Sequence, residues 1–252
     1  MVNYTNNYLD QVIFRIDFTR EIDHSQKSIS SFYTGIKDIF PHKEDIKNII
    51  LEASFSQEKD GRKISQTERN VVNYRFTDES KNIIIGLDPT TLFIEVNLYT
   101  NFDDLISKIN LVLDNLKKCY DNLIIKRTGL RYINKIVLNE DNPLDWANLI
   151  NGNLISMLNF PADKSELSRA MGLIELNKDG YYVRFQFGLP NSEFPNPISR
   201  REFVLDYDCY NDDEIETSDV IDNLLVFHED ILSLYENAIS EGLRTIMGEI
   251  DD

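Results

Sequence analysis

The sequence predicts an α+β protein built from two similar β-α-β-β-β-α halves, and three observations lead to this prediction. Segments in which apolar and polar residues alternate, as in strands, outnumber segments with helical periodicity. The order strand, helix, three or four strands, long helix occurs twice along the chain. No Gly- or Ser-rich linker lies between the two copies. We therefore expect residues 1–121 and 122–252 to be fused as one rigid body, with one or two mainly antiparallel sheets backed by two long amphipathic helices.

The first half is expected to begin with a strand and to end with a long helix. Residues 11–18 alternate in polarity, and the next segment has apolar positions at helical spacing. Three strand-like segments follow, and the last divides at Asp88-Pro89 to give a fourth strand. Residues 101–120 place their apolar side chains on one stripe, which predicts an amphipathic helix.

The second half repeats this order of elements. Residues 123–138 form a strand, and residues 143–160 have helical periodicity that ends before Pro161. A turn signal at residues 178–180 joins two strands into a hairpin. A long helix is predicted from about Ser218. The three strands between the two helices are predicted at 168–176, 181–189 and 201–210.

The charge of the chain disfavours binding to nucleic acid. There are 43 acidic and 26 basic residues, which gives a formal net charge of −17. The mean field of such a protein repels a polyphosphate. A local basic patch still acts at short range, because physiological salt screens charges beyond about 8 Å. Acidity of this size is typical of a solubility device, of a nucleic-acid mimic, or of a protein whose partner has a basic surface.

The sequence predicts a cytoplasmic protein without membrane contact. No apolar run reaches the roughly 20 residues of a membrane-spanning helix, and the first ten residues lack the pattern of a secretory leader. Cys119 and Cys209 are far apart and fit neither metal-binding nor disulfide spacing. Two reduced thiols are therefore expected.

The stretch LIIKRTGLRYINKIVL, residues 123–138, collects positive charge in this acidic chain. Alternate residues of a strand share a face, so Arg127, Gly129 and Arg131 are expected together, opposite Tyr132 and Asn134. The glycine either leaves an open position between the two arginines or marks a bulge that would move this assignment by one. The candidate residues for binding a ligand or partner are Arg127, Gly129, Arg131, Tyr132 and Asn134.

A second interpretation of the basic strand is internal ion pairing. An unpaired buried charge costs several kcal/mol, so buried arginines need carboxylate partners. Asp206 and Asp208 share one face of the predicted strand 201–210, and Asp17 and Glu95 lie on other apolar strands. The sequence leaves both interpretations open.

The common catalytic motifs are absent from the sequence. There is no nucleophile elbow, P-loop or dinucleotide fingerprint, and no metal-ligand spacing surrounds the three His residues. We therefore predict no cofactor and no metal. The remaining catalytic candidate is a metal-dependent nuclease that uses Asp206 and Asp208 with Asp17 or Glu95 of a neighbouring strand, although neither strand offers an Asp/Glu-x-Lys.

Four segments carry a resemblance to a known family. In order, they are VIFRIDF (12–18), FYTGIKDIFP (32–41), RTGLRYIN (127–134) and FVLDYD (203–208). In this combination the chain resembles a sporadically distributed bacterial family of uncharacterised proteins of similar length, whose most recognisable signature is an R-x-G-L-R-Y-I-N strand. The resemblance implies a shared fold. Patchy distribution is typical of genes in defence islands or toxin–antitoxin cassettes, which suggests a functional context by association alone.

These observations lead to a functional hypothesis with an alternative. The leading hypothesis is a non-enzymatic binding or regulatory protein of a bacterial defence or toxin–antitoxin locus. It would bind a protein encoded nearby through its acidic surface and a groove at Arg127 and Arg131, and a homo-oligomer remains open. The alternative is a sensor or enzyme that binds a nucleotide or another small anion through Arg127, Arg131 and Tyr132.

Overall fold

A computed structural model describes residues 3–58, 61–139 and 142–250 of the chain. The α-helices are α1 Gln26–Ile36, α2 Phe102–Cys119, α3 Gly152–Ile155, α4 Val220–Ala238 and α5 Glu241–Met247. The first six strands are β1 Asn3–Tyr4, β2 Leu9–Phe18, β3 His42–Glu58, β4 Gly61–Thr77, β5 Ile83–Leu87 and β6 Thr91–Val96. The others are β7 Ile124–Leu138, β8 Ala170–Lys178, β9 Tyr181–Leu189, β10 Arg201–Asn211, β11 Ile215–Glu216 and β12 Glu249–Ile250.

Ten of these strands form one antiparallel sheet. Its strand order is β3-β4-β5-β6-β2-β7-β10-β9-β8, and β11 pairs with the first residues of β7. The short strands β1 and β12 form a separate pair. The structure therefore confirms an α+β protein with a large antiparallel sheet.

The centre of the sheet is the pairing of β2 with β7. On β2, Val12, Phe14, Ile16 and Phe18 are fully or almost fully buried, whereas the residues between them are only partly covered. This alternation is what a strand with one face against a core requires. The same alternation continues on β7, where Leu130 is fully buried. Strands β2 and β7 therefore define a face of the sheet that packs into the core and a second face that does not.

The helices lie on the buried face of the sheet. Helix α1 packs against β4 through the rings of Phe32 and Phe76, whose centroids are 5.5 Å apart. Helices α1 and α2 approach closely at Gly35, a residue without a side chain. There the side-chain amide of Asn115 donates to the carbonyl of Gly35. Helix α4 packs on β7 and β10. The buried side is therefore called the helix face below, and the other side the open face.

The prediction of a helix across residues 143–160 is mostly wrong. The structure has turns there, followed by the four-residue α3 and a 3₁₀ turn at Ser156–Asn159. Asn148 has a left-handed backbone with φ of 62°, which ends any continuous helix, and the side chain of Asn151 caps the short α3. Trp146 is nonetheless buried, so the apolar periodicity reflects side chains that are buried from turns rather than from a helix.

The bulge considered at Gly129 lies elsewhere. Gly129 is in regular register with Tyr210 on one side and Arg15 on the other. The register between β2 and β7 shifts instead between Asp17 and Phe18, opposite Lys126. Arg127 and Arg131 therefore keep the shared face that regular alternation predicts.

Among the described residues, no helix combines the length and apolar character that crossing a bilayer requires.

Candidate functional site

The open face of the sheet brings together charged and aromatic side chains from four neighbouring strands. Cross-strand partners share a face in an antiparallel sheet, so the register places these side chains side by side. They come from β2, β7, β10 and β9. The side chains are Arg15, Asp17, Arg127, Arg131, Asp206, Asp208, Tyr210, Tyr182 and Arg184.

The central pair of the open face is Arg131 with Asp206. The guanidinium donates two hydrogen bonds to the carboxylate, at 2.7 Å from Nε and 2.6 Å from Nη2. The Asp206 hydrogen bond raises the pKa of Arg131 further above its usual value. Asp206 is 7% exposed, whereas 40% of the Arg131 side chain is exposed. The pair is thus a fixed, bidentate ion pair with one side facing solvent.

Arg127 is held by two carboxylates and an aromatic ring. Its Nη1 lies 3.0 Å from Asp212 and its Nη2 lies 3.8 Å from Asp208. Its guanidinium also stacks over the Tyr210 ring, at 3.8 Å from the centroid. The ring of Tyr182 follows at 5.5 Å from that of Tyr210. These contacts extend the ordered surface from β7 to β9.

A row of alternating charge crosses the open face at Arg131. The register sets Arg131 opposite Asp208, Asp208 opposite Arg184, and Arg184 opposite Glu175 on β8. Burial raises the pKa of the Asp208 carboxyl, and the charges of Arg127 and Arg131 oppose this effect. In this row, the fold therefore disfavours the charged form of the Asp208 carboxyl.

The concavity at the centre of this face is small. A volume of about 70 Å³ is lined by Arg131, Arg184, Gln186, Asp206 and Asp208. This is room for a few water molecules, far below the roughly 300 Å³ of the smallest usual ligand sites. The open face is therefore a surface of fixed charges rather than a pocket.

Gly129 lies between the two arginines, as the sequence predicts, but the position is buried rather than open. A Cβ atom added there would lie 3.6 Å from the carbonyl oxygen of Cys209 and 3.9 Å from Asp208, which are ordinary contacts. No steric conflict explains its identity.

Tyr132 and Asn134 are not part of the open face. Tyr132 is 3% exposed on the helix face, where its hydroxyl lies 2.8 Å from Nδ1 of His228 and 3.4 Å from the Tyr99 hydroxyl. Asn134 is also buried and donates to the carbonyl of Leu205 at 3.3 Å. The structure separates these two candidates from Arg127 and Arg131 by the thickness of the sheet.

Asp17 and Glu95 lie on the open face but outside the Arg131 pair. Asp17 accepts from Nε of Arg15 at 2.8 Å and from the hydroxyl of Thr91 at 3.1 Å. Glu95 is half-buried and lies opposite Ile13, whose other neighbour is Arg131. Of the four carboxylates expected as ion-pair partners, Asp206 and Asp208 contact the basic strand's arginines directly.

Sequence reasoning missed several contributors to the open face, among them Arg184, Asp212 and Tyr210. Arg184 was detectable, because it alternates with buried aromatic residues in YYVRFQF. Asp212 and Tyr210 were not, because their contacts with Arg127 depend on the register between β10 and β7. Register between distant strands has no local signature in the sequence.

A second concavity lies at one end of the sheet, near the C-terminus of α2. Its volume is about 760 Å³, and its walls are residues 19–23, residues 119–124 and Glu214. Tyr120 is buried beside it, and burial raises the pKa of its hydroxyl. Within the described ranges there is no group of three or more His, Cys, Asp or Glu side chains that could hold a metal ion.

Comparison with known proteins adds no identity: no family model matches this chain, and no curated protein matches it.

Proposed function

We propose that this chain is a binding or regulatory protein that acts without catalysis and docks a protein partner on the open face. The observation that carries the proposal is the ordered, charge-balanced surface around the Arg131–Asp206 pair. Each arginine of this surface, at positions 15, 127, 131 and 184, has an acidic neighbour within 4 Å. A chain of net charge −17 thus offers a face with little net repulsion toward another acidic protein.

The composition of the open face also favours protein recognition. Tyrosine and arginine are enriched at the centres of protein interfaces, and Tyr182, Tyr210 and Arg127 form one stacked series here. A sheet holds such groups with little freedom, so binding would order few side chains. The partner would meet a surface that is already arranged.

Internal duplication is part of the same proposal. The strand order places β2 and β7, the first long strand of each half, side by side at the centre. Strands β6 and β10, one from each half, flank this pair, and the longest helices, α2 and α4, come later in the same halves. This arrangement supports two copies of one unit joined at residues 121–122, with the open face shared between them.

The two alternative functions have weaker support. A nucleotide or other anion would have to share the guanidinium of Arg131 with Asp206, which already accepts from its Nε and Nη2. A cation for nuclease chemistry would compete with the same guanidinium for Asp206. Both functions would have to compete with the best-formed ion pair of the surface.

The biological context rests on the family resemblance alone. We propose a cytoplasmic role in a bacterial defence or toxin–antitoxin locus, with the partner encoded beside this gene. Such a partner is neutralised, chaperoned or regulated by binding.

Co-expression with the products of the neighbouring genes tests this proposal. We expect one product to co-purify with the tagged chain and to be lost with Arg184→Glu, which reverses an exposed charge on the open face. Lys118→Glu makes the same charge change at an exposed position of α2 and should leave co-purification intact. Recovery of no neighbouring product, or equal recovery with both variants, would contradict the proposal.

A further inference from the structure

The two edges of the large sheet differ in how they are protected. Strand β3 forms one edge, and its residues 42–47 carry five ionisable side chains, which discourage pairing with another strand. Strand β8 forms the other edge and has the sequence AMGLIELNK. Its Met171, Leu173 and Ile174 are 43%, 50% and 39% exposed. An apolar, exposed edge strand is a site for pairing with a further strand.

The hairpin between β8 and β9 fixes which backbone groups of β8 point outward. The turn has two residues, so the closing pair Lys178 and Tyr181 is the hydrogen-bonded pair. Alternate residues of β8 therefore bond to β9, and before the strand the inward-pointing carbonyl of Ser168 accepts from the side-chain amide of Asn191. The backbone groups of Met171, Leu173 and Glu175 consequently face the free edge.

We propose that β8 pairs antiparallel with β8 of a second copy of this chain, with Gly172 opposite Gly172 at the two-fold axis. This register joins outward-pointing backbone groups on both strands, as an antiparallel ladder requires. It sets Met171 opposite Leu173 of the second copy and Ala170 opposite its Ile174. It also sets Arg169 opposite Glu175 of the second copy, and each of these contacts occurs twice.

The matching of charged and apolar residues favours a second copy over an unrelated strand. The register matches apolar with apolar and basic with acidic on the same segment, a property that only a self-complementary edge has. Arg169 is already held beside the strand, because its Nε donates to the carbonyl of Pro190 at 2.8 Å and its guanidinium lies 4.1 Å from the Phe194 ring centroid. The resulting dimer makes one continuous sheet. The open faces of the two copies lie on the same side of this sheet, and the sheet twist rotates one copy relative to the other.

Sedimentation equilibrium of the full chain tests the inference. We expect a monomer–dimer equilibrium for the natural chain. Arg169→Glu and Glu175→Arg should each weaken the dimer about tenfold, because each sets like charges opposite one another twice. The double variant restores opposite charges and should regain most of the affinity. Lys118→Glu, remote from β8, should change the equilibrium little.

Leu173→Lys provides a second check that does not depend on the charge pair. This residue is half exposed, so the variant should fold, as circular dichroism would show, and should sediment as a monomer. A natural chain that stays monomeric at all concentrations would overturn the proposal. A dimer that is insensitive to Leu173→Lys would overturn it as well. A double charge variant no tighter than the single variants would overturn the proposed register.

Discussion

Asp206 and Asp208 lie two residues apart on β10, yet their surroundings give them different electrostatic roles. Asp206 accepts two short hydrogen bonds from Arg131. Asp208 forms only a longer ion pair within the described residues: Nη2 of Arg127 is 3.8 Å away, and the same guanidinium is closer to Asp212. Burial raises the pKa of Asp208 despite that cation. The first carboxylate therefore stabilises the open face as an anion, and the second does so poorly.

Removing the charge of each aspartate should therefore have different effects. Asp206→Asn weakens two charge-assisted hydrogen bonds and should lower the free energy of unfolding by about 1–2 kcal/mol, a range kept low because Arg131 is partly exposed. Asp208→Asn should change it by less than about 0.5 kcal/mol or increase it at neutral pH. Urea unfolding of both variants measures the difference. Equal destabilisation by both would contradict the assigned roles.

His228 of α4 is a buried base at the contact between the two longest helices, α2 and α4. Its ring stacks on Phe102 with centroids 3.8 Å apart, and Nδ1 meets the Tyr132 hydroxyl. Burial lowers its pKa to about 4 from a usual value of 6.5, and Asp103 opposes this shift. The unfolded chain therefore takes up the proton first as the pH falls. The stabilising effect of the neutral ring is complete above pH 6.5 and is lost between pH 6.5 and pH 4.

Replacing His228 by glutamine should remove this part of the pH dependence. The amide keeps an acceptor for Tyr132 and does not titrate in this range. Between pH 6.5 and pH 4 the natural chain should lose up to about 3 kcal/mol more stability than His228→Gln. His24, whose pKa burial also lowers, is present in both proteins and cancels in the comparison. Parallel stability curves for the two proteins would show that His228 is not held neutral by the fold.

At the scale of elements, the contact between α1 and α2 depends on a glycine. A Cβ atom on Gly35 would overlap the side-chain amide of Asn115. That amide is buried and donates to the carbonyls of Gly35 and Leu111. Neither helix can give way without breaking these hydrogen bonds.

Gly35→Ala should therefore destabilise the protein although alanine favours helices. We expect a loss of about 1–3 kcal/mol, the usual cost of forcing extra volume into a packed contact. Gly152→Ala is the matched control, because nothing lies within 4 Å of its Cβ position at the start of α3. Thermal unfolding of the two variants gives the comparison. A Gly35→Ala protein as stable as the control would contradict the described helix contact.

Elements with a strong local signal were predictable, and elements shaped by long-range contacts were not. The division at Asp88-Pro89 and the turn at residues 178–180 are confirmed, because Pro and Gly restrict the backbone locally. The helix predicted across residues 143–160 was mostly wrong, because buried turns and a buried helix share the same apolar periodicity. On the open face, the shared side of Arg127 and Arg131 followed from alternation, whereas their carboxylate partners depended on strand order.

At the scale of the whole molecule, the two halves meet along the β2–β7 pairing, and one continuous hydrophobic core extends across both. Phe102 of α2 and His228 of α4 add a contact between the helices. If the halves separated, β2 and β7 would each become an unprotected edge strand. The chain should therefore unfold as one cooperative unit.

The single tryptophan makes this cooperativity measurable. Trp146 lies in the second half and is buried, so its fluorescence reports that half alone. Fluorescence and far-UV circular dichroism should give coincident unfolding transitions. Gly35→Ala, in the first half, should shift the Trp146 transition by the same amount as the dichroism transition. A Trp146 transition that does not respond to this variant would mean that the halves unfold separately.

The most direct test of the open face as a docking surface is a calorimetric titration with the purified partner encoded beside this gene. The natural chain and Lys118→Glu should bind with similar affinity. Arg184→Glu should weaken binding at least about tenfold, because it places like charge beside Glu175 and Asp208 at the interface. Equal affinity for all three chains would contradict the account and place the binding surface elsewhere on the molecule.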